Sequence, residues 1–202
     1  MSAAAPRLEF WFEFASTYSY LSALRIEAMA AERGVDVVWR PFLLGPIFAA
    51  QGWDTSPFAI YPAKGRYMWR DMERLTAARG LPFKGPTRFP QHSLRAARVA
   101  LAALDRPQGP AFCKAIYSLG FGEGVDISEP DVIAQALKTA DLPTKLVEAG
   151  DDPMIKERLK AQTARAVDLG LFGAPSFTVG AELFWGDDRL EMALEHAMEG
   201  AE

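Results

Sequence analysis

Short apolar runs with strand character lie near both ends of the chain, and segments with helical periodicity lie between them. The runs "RLEFWFEFA" (residues 7–15) and "VDVVWRPFLL" (35–44) are rich in aromatic or β-branched residues and end at small residues or Gly-Pro, which predicts two strands. Between them, "TYSYLSALRIEAMAAER" (17–33) has apolar residues at helical spacing and stops at Gly34, which predicts one helix. A β-α-β unit of this length predicts parallel strands joined by a right-handed crossover.

The middle of the chain, from about residue 46 to 170, shows helical and loop patterns almost throughout. Five segments with their own start or stop signals predict helices: "AKGRYMWRDMERLTAARG", "QHSLRAARVALAAL", "GPAFCKAIYSLGFG", "SEPDVIAQALKTADL" and "DPMIKERLKAQTARAVDLG". Strand signals then return in "APSFTVG" and "AELFWG", which predict a hairpin turning near Gly180. The segment "DRLEMALEHAMEG" predicts a closing helix.

These elements together predict an α/β protein with a thioredoxin-like fold and a large all-helical insertion. The β-α-β start and the β-β-α finish supply the thioredoxin-like part, and the helical middle is the insertion. We therefore assign residues 1–45 and 171–202 to a thioredoxin-like domain and residues 46–170 to a helical insertion domain.

Composition and charge narrow the functional classes. Half of the 202 residues are apolar, and a net charge of −4 with a pI near 5.3 gives no support to a nucleic-acid partner. No apolar run reaches the roughly 18 residues that a membrane span requires. The opening "MSAAAPRLEF" has no hydrophobic signal core, so we expect a soluble cytoplasmic protein.

Few side chains are available for disulfide or metal chemistry. Cys113 is the single cysteine, which excludes an intrachain disulfide. The two histidines, His92 and His196, have no second nitrogen or sulfur ligand at metal spacing. We therefore expect no catalytic metal.

The helix after the first predicted strand begins with four hydroxyl side chains, Ser16-Thr17-Tyr18-Ser19. In thioredoxin-like proteins this turn presents the reactive group, because a helix N-terminus favours a thiolate, and a redox member has Cys-x-x-Cys there. Serine cannot form a disulfide, so disulfide chemistry at this turn is excluded. Two interpretations stay open: Ser16 or Thr17 caps the helix, or a hydroxyl donates a hydrogen bond to the thiolate of a bound ligand.

Three segments carry a family resemblance. The run "GAPSFTVGAELFWGDDRL" (173–190), paired with "FWFEFASTYSYL" (10–21), resembles the 2-hydroxychromene-2-carboxylate isomerase family, and "PAKGRYMWRDMERL" (62–75) is also similar to it. That family is related to the kappa-class glutathione transferases and, more distantly, to the DsbA-type disulfide oxidoreductases. The resemblance extends from about residue 8 to residue 198.

The resemblance implies a glutathione site built around the first turn. Ser16 matches the family's active-site serine, whose hydroxyl faces the glutathione sulfur. Ala174-Pro175 matches the cis-proline of thioredoxin-like folds, where the Ala174 backbone can pair with the glutathione cysteine as an added strand does. The alternative for this Gly-Ala-Pro segment is an ordinary turn before a strand.

Charged residues are implied at the two ends of the tripeptide. Asp187, Asp188 and Arg189 match the segment that holds the γ-glutamyl end of glutathione, where an aspartate suits its ammonium group. The alternative is that these carboxylates only cap the last helix. Lys64 matches a lysine that meets either the glycyl carboxylate of glutathione or the carboxylate of the aromatic substrate. The alternative is a solvated cation.

The implied substrate pocket departs from the family pattern at one loop. Several relatives carry a Gly-Asn pair where this chain has Gly52-Trp53-Asp54, which indicates a reshaped pocket. Trp53 and Phe89 lie in loops rich in Pro and Gly, so we expect them to be pocket walls, whereas Trp69 should belong to the core. Asp54 and Tyr18 complete the substrate contacts that we expect.

The resemblance implies a glutathione-dependent isomerase of an aromatic carboxylate. Because the relatives are commonly dimers, it also implies a homodimer. A glutathione thiolate, stabilised by Ser16, would add reversibly to an activated carbon–carbon double bond and leave after rotation or ring opening. Two alternatives stay open: a kappa-like glutathione transferase, and a non-catalytic module that binds thiol peptides. A serine hydrolase is disfavoured because Ser16 lacks a G-x-S-x-G context.

Overall fold

A four-stranded mixed sheet organises the protein. The computed structural model describes residues 5–200, and its strands are β1 (Arg7–Phe12), β2 (Asp36–Pro41), β3 (Ser176–Val179) and β4 (Glu182–Trp185). They lie in the order β2-β1-β3-β4. β1 is parallel to β2, as the β-α-β pattern predicts, while β3 is antiparallel to both β1 and β4. The predicted parallel pair and the predicted hairpin are both confirmed.

The central strand β1 is buried on both faces, which explains why its sequence is almost continuously apolar. On one face Phe10 and Phe12 pack against Trp39, with ring centroids 5.0 and 5.4 Å apart. On the other face Trp11 packs edge-on against Phe42 in a second, smaller cluster. Both layers therefore hold β1 rigidly, and the turn that follows it has a fixed position.

The helix predicted over residues 17–33 is in fact two helices, so that prediction is wrong in detail. The structure has α1 (Thr17–Ala23) and α2 (Ile26–Ala31), and Arg25 between them lies outside helical geometry. The backbone N–H of Arg25 donates to the Ser22 carbonyl at 3.1 Å. The guanidinium of Arg25 reaches Asp187, far along the chain, so a tertiary contact coincides with the break.

The middle of the chain is helical, as predicted, with more and shorter helices than the pattern indicates. They are α3 (Leu44–Ala50), α4 (Pro57–Ile60), α5 (Pro62–Ala78), α6 (Leu94–Ala103), α7 (Gly109–Tyr117), α8 (Pro130–Thr139) and α9 (Pro153–Asp168). A π-helical turn, Ser118–Gly122, extends α7, and a 3-10 helix, Thr144–Gly150, precedes α9. The closing helix is α10 (Leu190–Glu199).

One hydrophobic cluster runs from the sheet into the helical middle. It contains Phe12 of β1 and Phe177 of β3 together with Ala100 of α6 and Ile116 of α7. The helices thus complete the core that covers one face of the sheet. The division into a thioredoxin-like domain and a separate insertion domain stays a prediction. Within residues 5–200 no helix has the length and apolarity needed to span a bilayer.

A close backbone approach joins α4 to α5. A Cβ built on Gly65 would overlap the carbonyl oxygen of Phe58, a backbone atom that has no easy way to move aside. Gly65 is buried near the start of α5. A residue without a side chain is therefore required where these two helices meet.

We expect Gly65→Ala to lower the free energy of unfolding by about 1–3 kcal/mol, the usual cost of overpacking. Chemical denaturation measures this change. Gly45→Ala is the matched control, because Gly45 is also helical and a Cβ there would meet nothing within 4 Å. Equal stability of Gly65→Ala and Gly45→Ala would contradict the close packing of α4 on α5.

Candidate functional site

A cavity of about 1000 Å³ opens beside the first turn of α1. Its wall is formed by the β1–α1 turn, the α3–α5 segment, the loop before α6, and the two segments that flank β3 and β4. The predicted site residues that line it are Ser16, Tyr18, Trp53, Asp54, Lys64, Phe89, Ala174, Pro175, Asp187 and Asp188. The fold therefore brings together residues that the sequence separates by more than a hundred positions.

Ser16 makes two hydrogen bonds at the edge of this cavity. Its Oγ accepts from the backbone N–H of Ser19 at 3.2 Å, so Ser16 is the N-cap of α1. The same hydroxyl donates to the Ala174 carbonyl oxygen at 2.9 Å. The capping interpretation is thus confirmed. Because a hydroxyl has one proton, Ser16 donates either to Ala174 or to a ligand.

The Ala174-Pro175 segment is held in place from several directions. The peptide bond between these residues is cis, as predicted. The Pro175 carbonyl accepts from the backbone N–H of Gly186 at 3.0 Å, and Ser176 Oγ donates to the Gly173 carbonyl at 2.9 Å. The backbone beside Ser16 is therefore fixed before any ligand arrives.

Asp187 forms part of the cavity wall, and its carboxylate is already engaged by three side chains. Ser22 Oγ donates to Asp187 Oδ1 at 2.8 Å, and Arg79 Nη2 donates to Oδ2 at 2.6 Å. Arg25 also bridges Asp187 and Glu191. Asp187 is 5 % exposed, so this network replaces the water that its charge has lost. The geometry therefore assigns Asp187 to the scaffold of the site.

Asp188 and Arg189 differ in their relation to the cavity. The Asp188 side chain is 73 % exposed and lines the cavity, whereas Arg189 does not line it. Arg189 Nη1 pairs with Asp188 Oδ2 at 2.9 Å. Asp188 is therefore exposed to the cavity, where a γ-glutamyl group could reach it, and Arg189 is not. Arg189 as a direct ligand contact is thus not supported.

Lys64 is an exposed residue at the start of α5 and lines the cavity. Its Nζ lies 5.0 Å from the centroid of the Tyr61 ring, within the range of a cation–π contact. Arg79, at the end of α5, also lines the cavity but is bound to Asp187. Lys64 thus faces an aromatic ring, whereas Arg79 is paired with a buried carboxylate.

Aromatic side chains form much of the wall, as predicted. Trp53 and Phe89 line the cavity, and Trp69 does not; it packs edge-on against Phe89 at 5.0 Å. Phe58 and Tyr67 also line the cavity. The choice of Trp53 and Phe89 as walls and of Trp69 as a packing residue agrees with these positions.

Tyr18 presents a phenol to the cavity beside Ser16. Its hydroxyl donates to Asp71 Oδ2 at 2.9 Å. Burial raises the pKa of Tyr18, and the neighbouring Asp71 carboxylate raises this pKa further. The phenol therefore stays protonated at neutral pH. Asp71 lies on the helix predicted over residues 63–80, and sequence reasoning did not assign it to the site.

Glu13 is the other acidic residue that sequence reasoning missed. It lines the cavity and is only 7 % exposed, and Ser93 Oγ donates to its carboxyl group. Burial raises the pKa of Glu13 to about 7, although Ser93 and the Ala15 backbone act in the opposite direction. The sequence contains one indication that Glu13 is unusual, because it is the one charged residue in the apolar run "FWFEFA".

No metal centre is indicated by the described part of the chain. Between residues 5 and 200 no group of three or more His, Cys, Asp or Glu side chains is placed to hold an ion. Cys113 is buried away from the cavity lining, and its burial raises the pKa of the thiol well above the ordinary value. The described cavity wall therefore offers no cysteine thiol of its own.

Residues 7–198 match the family model of the DSBA-like thioredoxin domain. The chain belongs to the DSBA-like thioredoxin family. It is 28 % identical over 186 residues to the 2-hydroxychromene-2-carboxylate isomerase of Sphingobium xenophagum, covering 91 % of this chain and 94 % of that protein. It is 25 % identical to glutathione S-transferase kappa 1 of Caenorhabditis elegans, covering 93 % and 88 %.

A solved structure agrees with this family assignment. The structure of 2-hydroxychromene-2-carboxylate isomerase superposes with a TM-score of 0.85 at 26 % identity, covering 96 % of this chain and 95 % of that chain. The recognition of this family from the sequence, and the thioredoxin-like fold class, are confirmed. A disulfide at the first turn of this fold would need two cysteines. This chain has Ser16 and Ser19 there instead.

We expect Asp187→Asn to lower the free energy of unfolding by about 2–3 kcal/mol, because it leaves two arginines without their shared carboxylate. This lies below the cost of breaking a fully buried pair, since Arg25 and Arg79 are partly exposed. Asp188→Asn is the control; its carboxylate is exposed and should change stability little. Urea denaturation of both variants measures the difference, and equal values would contradict the scaffold role of Asp187.

Proposed function

We propose that this protein is a glutathione-dependent isomerase of an aromatic carboxylate, similar in substrate class to 2-hydroxychromene-2-carboxylate. One observation carries the proposal: the Ser16 hydroxyl lies at the edge of a large cavity beside the cis-Pro segment. Relatives named 2-hydroxychromene-2-carboxylate isomerase, at 28 % and 26 % identity, support the reaction class.

The residues around the cavity fit glutathione. The tripeptide has an ammonium group, two carboxylates and a thiol, and the cavity presents an exposed carboxylate at Asp188 and an ammonium at Lys64. Its volume of about 1000 Å³ is at the upper end of the range usual for ligand pockets, enough for a tripeptide and a small substrate together. When bound, glutathione supplies a thiol whose ionised form is a strong nucleophile.

Ser16 is proposed to hold the ligand sulfur as its thiolate. The hydroxyl proton, which here points to the Ala174 carbonyl, would turn to the sulfur. A charge-assisted hydrogen bond contributes about 1.5–3 kcal/mol. This corresponds to a fall of about one to two units in the pKa of the bound thiol. Ser16 then stabilises charge and does not itself attack.

The aromatic wall is proposed to orient the substrate and exclude water. Trp53 and Phe89 offer flat surfaces to a planar ring, and Tyr18 offers a neutral phenol whose proton is donated to Asp71. Lys64 is the proposed partner of an anionic carboxylate. Asp54 lies beside Trp53 in the same wall, in the loop where the family pattern has a Gly-Asn pair, and this loop would restrict which substrates fit.

A kappa-like glutathione transferase is the second candidate. The relative named glutathione S-transferase kappa 1, at 25 % identity over most of both chains, favours it. Both candidates need the same ionised thiol, so the residues described above serve either reaction equally.

A cytoplasmic location and a homodimer complete the proposal. The one cysteine is buried and unpaired, so nothing in its chemistry requires an oxidising compartment. The homodimer rests on the family resemblance alone.

We expect Ser16→Ala to abolish the thiolate absorbance that glutathione gains on binding to the wild-type protein near neutral pH. The loss follows because alanine has no proton to donate to sulfur. Ultraviolet difference spectroscopy of added glutathione measures this signal.

Ser16→Asp separates this role from capping. Aspartate retains an acceptor for the Ser19 N–H, so the cap is kept while the bond to the Ala174 carbonyl is lost. Ser16→Ala loses both, and the cap alone should cost about 0.5–2 kcal/mol. Ionised aspartate has no proton to donate, so this variant should also lack the thiolate signal. A full signal in Ser16→Asp would show that the hydroxyl proton is not needed.

We expect an isomerase to return its glutathione unchanged. With radiolabelled glutathione and excess 2-hydroxychromene-2-carboxylate, the label should remain in free glutathione after many turnovers, since the sulfur adds and leaves in each cycle. Chromatography of the label gives the answer. Label appearing in a conjugate in proportion to product would exclude the isomerase and favour the transferase.

A further inference from the structure

A buried carboxyl group stands in the cavity wall one turn before Ser16. Glu13 and Ser16 belong to the same tight turn, because the Ser16 backbone N–H donates to the Glu13 carbonyl at 2.9 Å. Both residues line the cavity. Glu13 is thus a buried titratable residue in the same turn and the same cavity wall as the serine, and the proposed function described above does not use it.

The partners of Glu13 are neutral. Ser93 Oγ donates to its carboxyl group, and the Ala15 backbone also stabilises the ionised form. On α7, the Tyr117 hydroxyl donates to the Glu13 backbone carbonyl at 2.9 Å. The pKa of Glu13 is shifted by burial and by neutral hydrogen-bond donors, and not by a cation. By contrast, the carboxylate of the buried Asp187 is paired with two arginines. The charge of Glu13 is therefore compensated only by dipoles.

The phenol and thiol groups around Glu13 stay neutral, which leaves its carboxyl group as the buried acid that can change charge near neutrality. On α7, burial raises the pKa values of Tyr117 and Cys113 well above the ordinary range, so both stay neutral. On α1, Tyr18 is also held protonated. His92 precedes α6 and lines the cavity as an exposed residue. Burial places the pKa of Glu13 at about 7, within the range where a general base works best.

We propose that the Glu13 carboxylate is the internal acceptor of the proton that leaves the thiol of glutathione bound beside Ser16. This inference rests on the proposed function. In the step, the S–H bond breaks and an O–H bond forms on the Glu13 carboxyl group. The negative charge moves from oxygen to sulfur, and no proton enters the solvent.

The transfer is expected because two negative charges, the Glu13 carboxylate and the thiolate, would destabilise each other in one buried site. An ionised Glu13 and a thiolate in the same wall would repel each other, and one of the two would keep the proton. With the proton on Glu13, the pair carries one negative charge before and after the transfer. Ser16 then stabilises the sulfur while the neutral carboxylic acid remains bonded to Ser93.

Proton counting tests this directly. Isothermal titration of glutathione into the protein, in buffers of different ionisation enthalpy, gives the protons released; the ultraviolet band gives the thiolate formed. At pH 8 the free Glu13 carboxyl is ionised, so wild type should release close to zero protons per thiolate. At about pH 6 the group is already protonated, given its pKa of about 7, and close to one proton should be released.

Glu13→Gln removes the acceptor and should release about one proton per thiolate at both pH values. Glu32→Gln is the matched control, because Glu32 is an exposed glutamate at the end of α2, and it should behave as wild type. Ser93→Ala removes a hydrogen bond that lowers the pKa of Glu13. The pH at which proton release falls from one to zero should therefore rise in this variant.

The outcomes separate the two proposals. A thiolate band with about one proton released by wild type at pH 8 would overturn the role of Glu13 and leave the proposed function standing. Absence of the band in wild type would overturn both. If Glu13→Gln does not fold, the Ser93→Ala shift decides: an unchanged pH dependence would contradict the inference, since a purely structural Glu13 would alter stability and not proton release.

Discussion

The hydrogen bond from Ser16 to the Ala174 carbonyl joins segments that lie 158 residues apart, and the candidate site forms where they meet. Rigid elements hold both ends. β1 is packed on both faces, which fixes the start of α1, and the Pro175 carbonyl is bonded to Gly186. Because the protein's own packing and hydrogen bonds hold these groups, the proposed thiol would meet donors that are already placed, which lowers the cost of binding.

Two buried acids in the cavity wall are compensated in opposite ways. Asp187 is paired with Arg25 and Arg79, so it supports the segment that carries Asp188. Glu13 is stabilised by the Ser93 hydroxyl and by backbone dipoles, which do not offset its burial, so its pKa is raised. An ion pair suits a structural role, whereas a carboxyl group with neutral partners suits proton transfer.

The remaining wall of the cavity combines charged and aromatic side chains, as the proposed function requires. Charged groups lie at Asp188 and Lys64, while rings such as Trp53 and Phe89 cover another part of the surface. Both proposed reactions, the isomerisation and the kappa-like transfer, use the same ionised thiol, and the chain has relatives named for each. The choice between the two reactions depends on whether the adduct is held until the sulfur leaves again.

Local pattern was enough to predict both parallel strands, the hairpin and the helical middle, because these depend on side-chain periodicity and turn residues. Family resemblance added the cis bond before Pro175, and the loop context added Trp53 and Phe89 as walls. Only the tertiary structure decided the break at Arg25 and the environment of Glu13. Arg25 contacts Asp187 and Glu13 contacts Ser93, and no local pattern encodes contacts between positions so far apart along the chain.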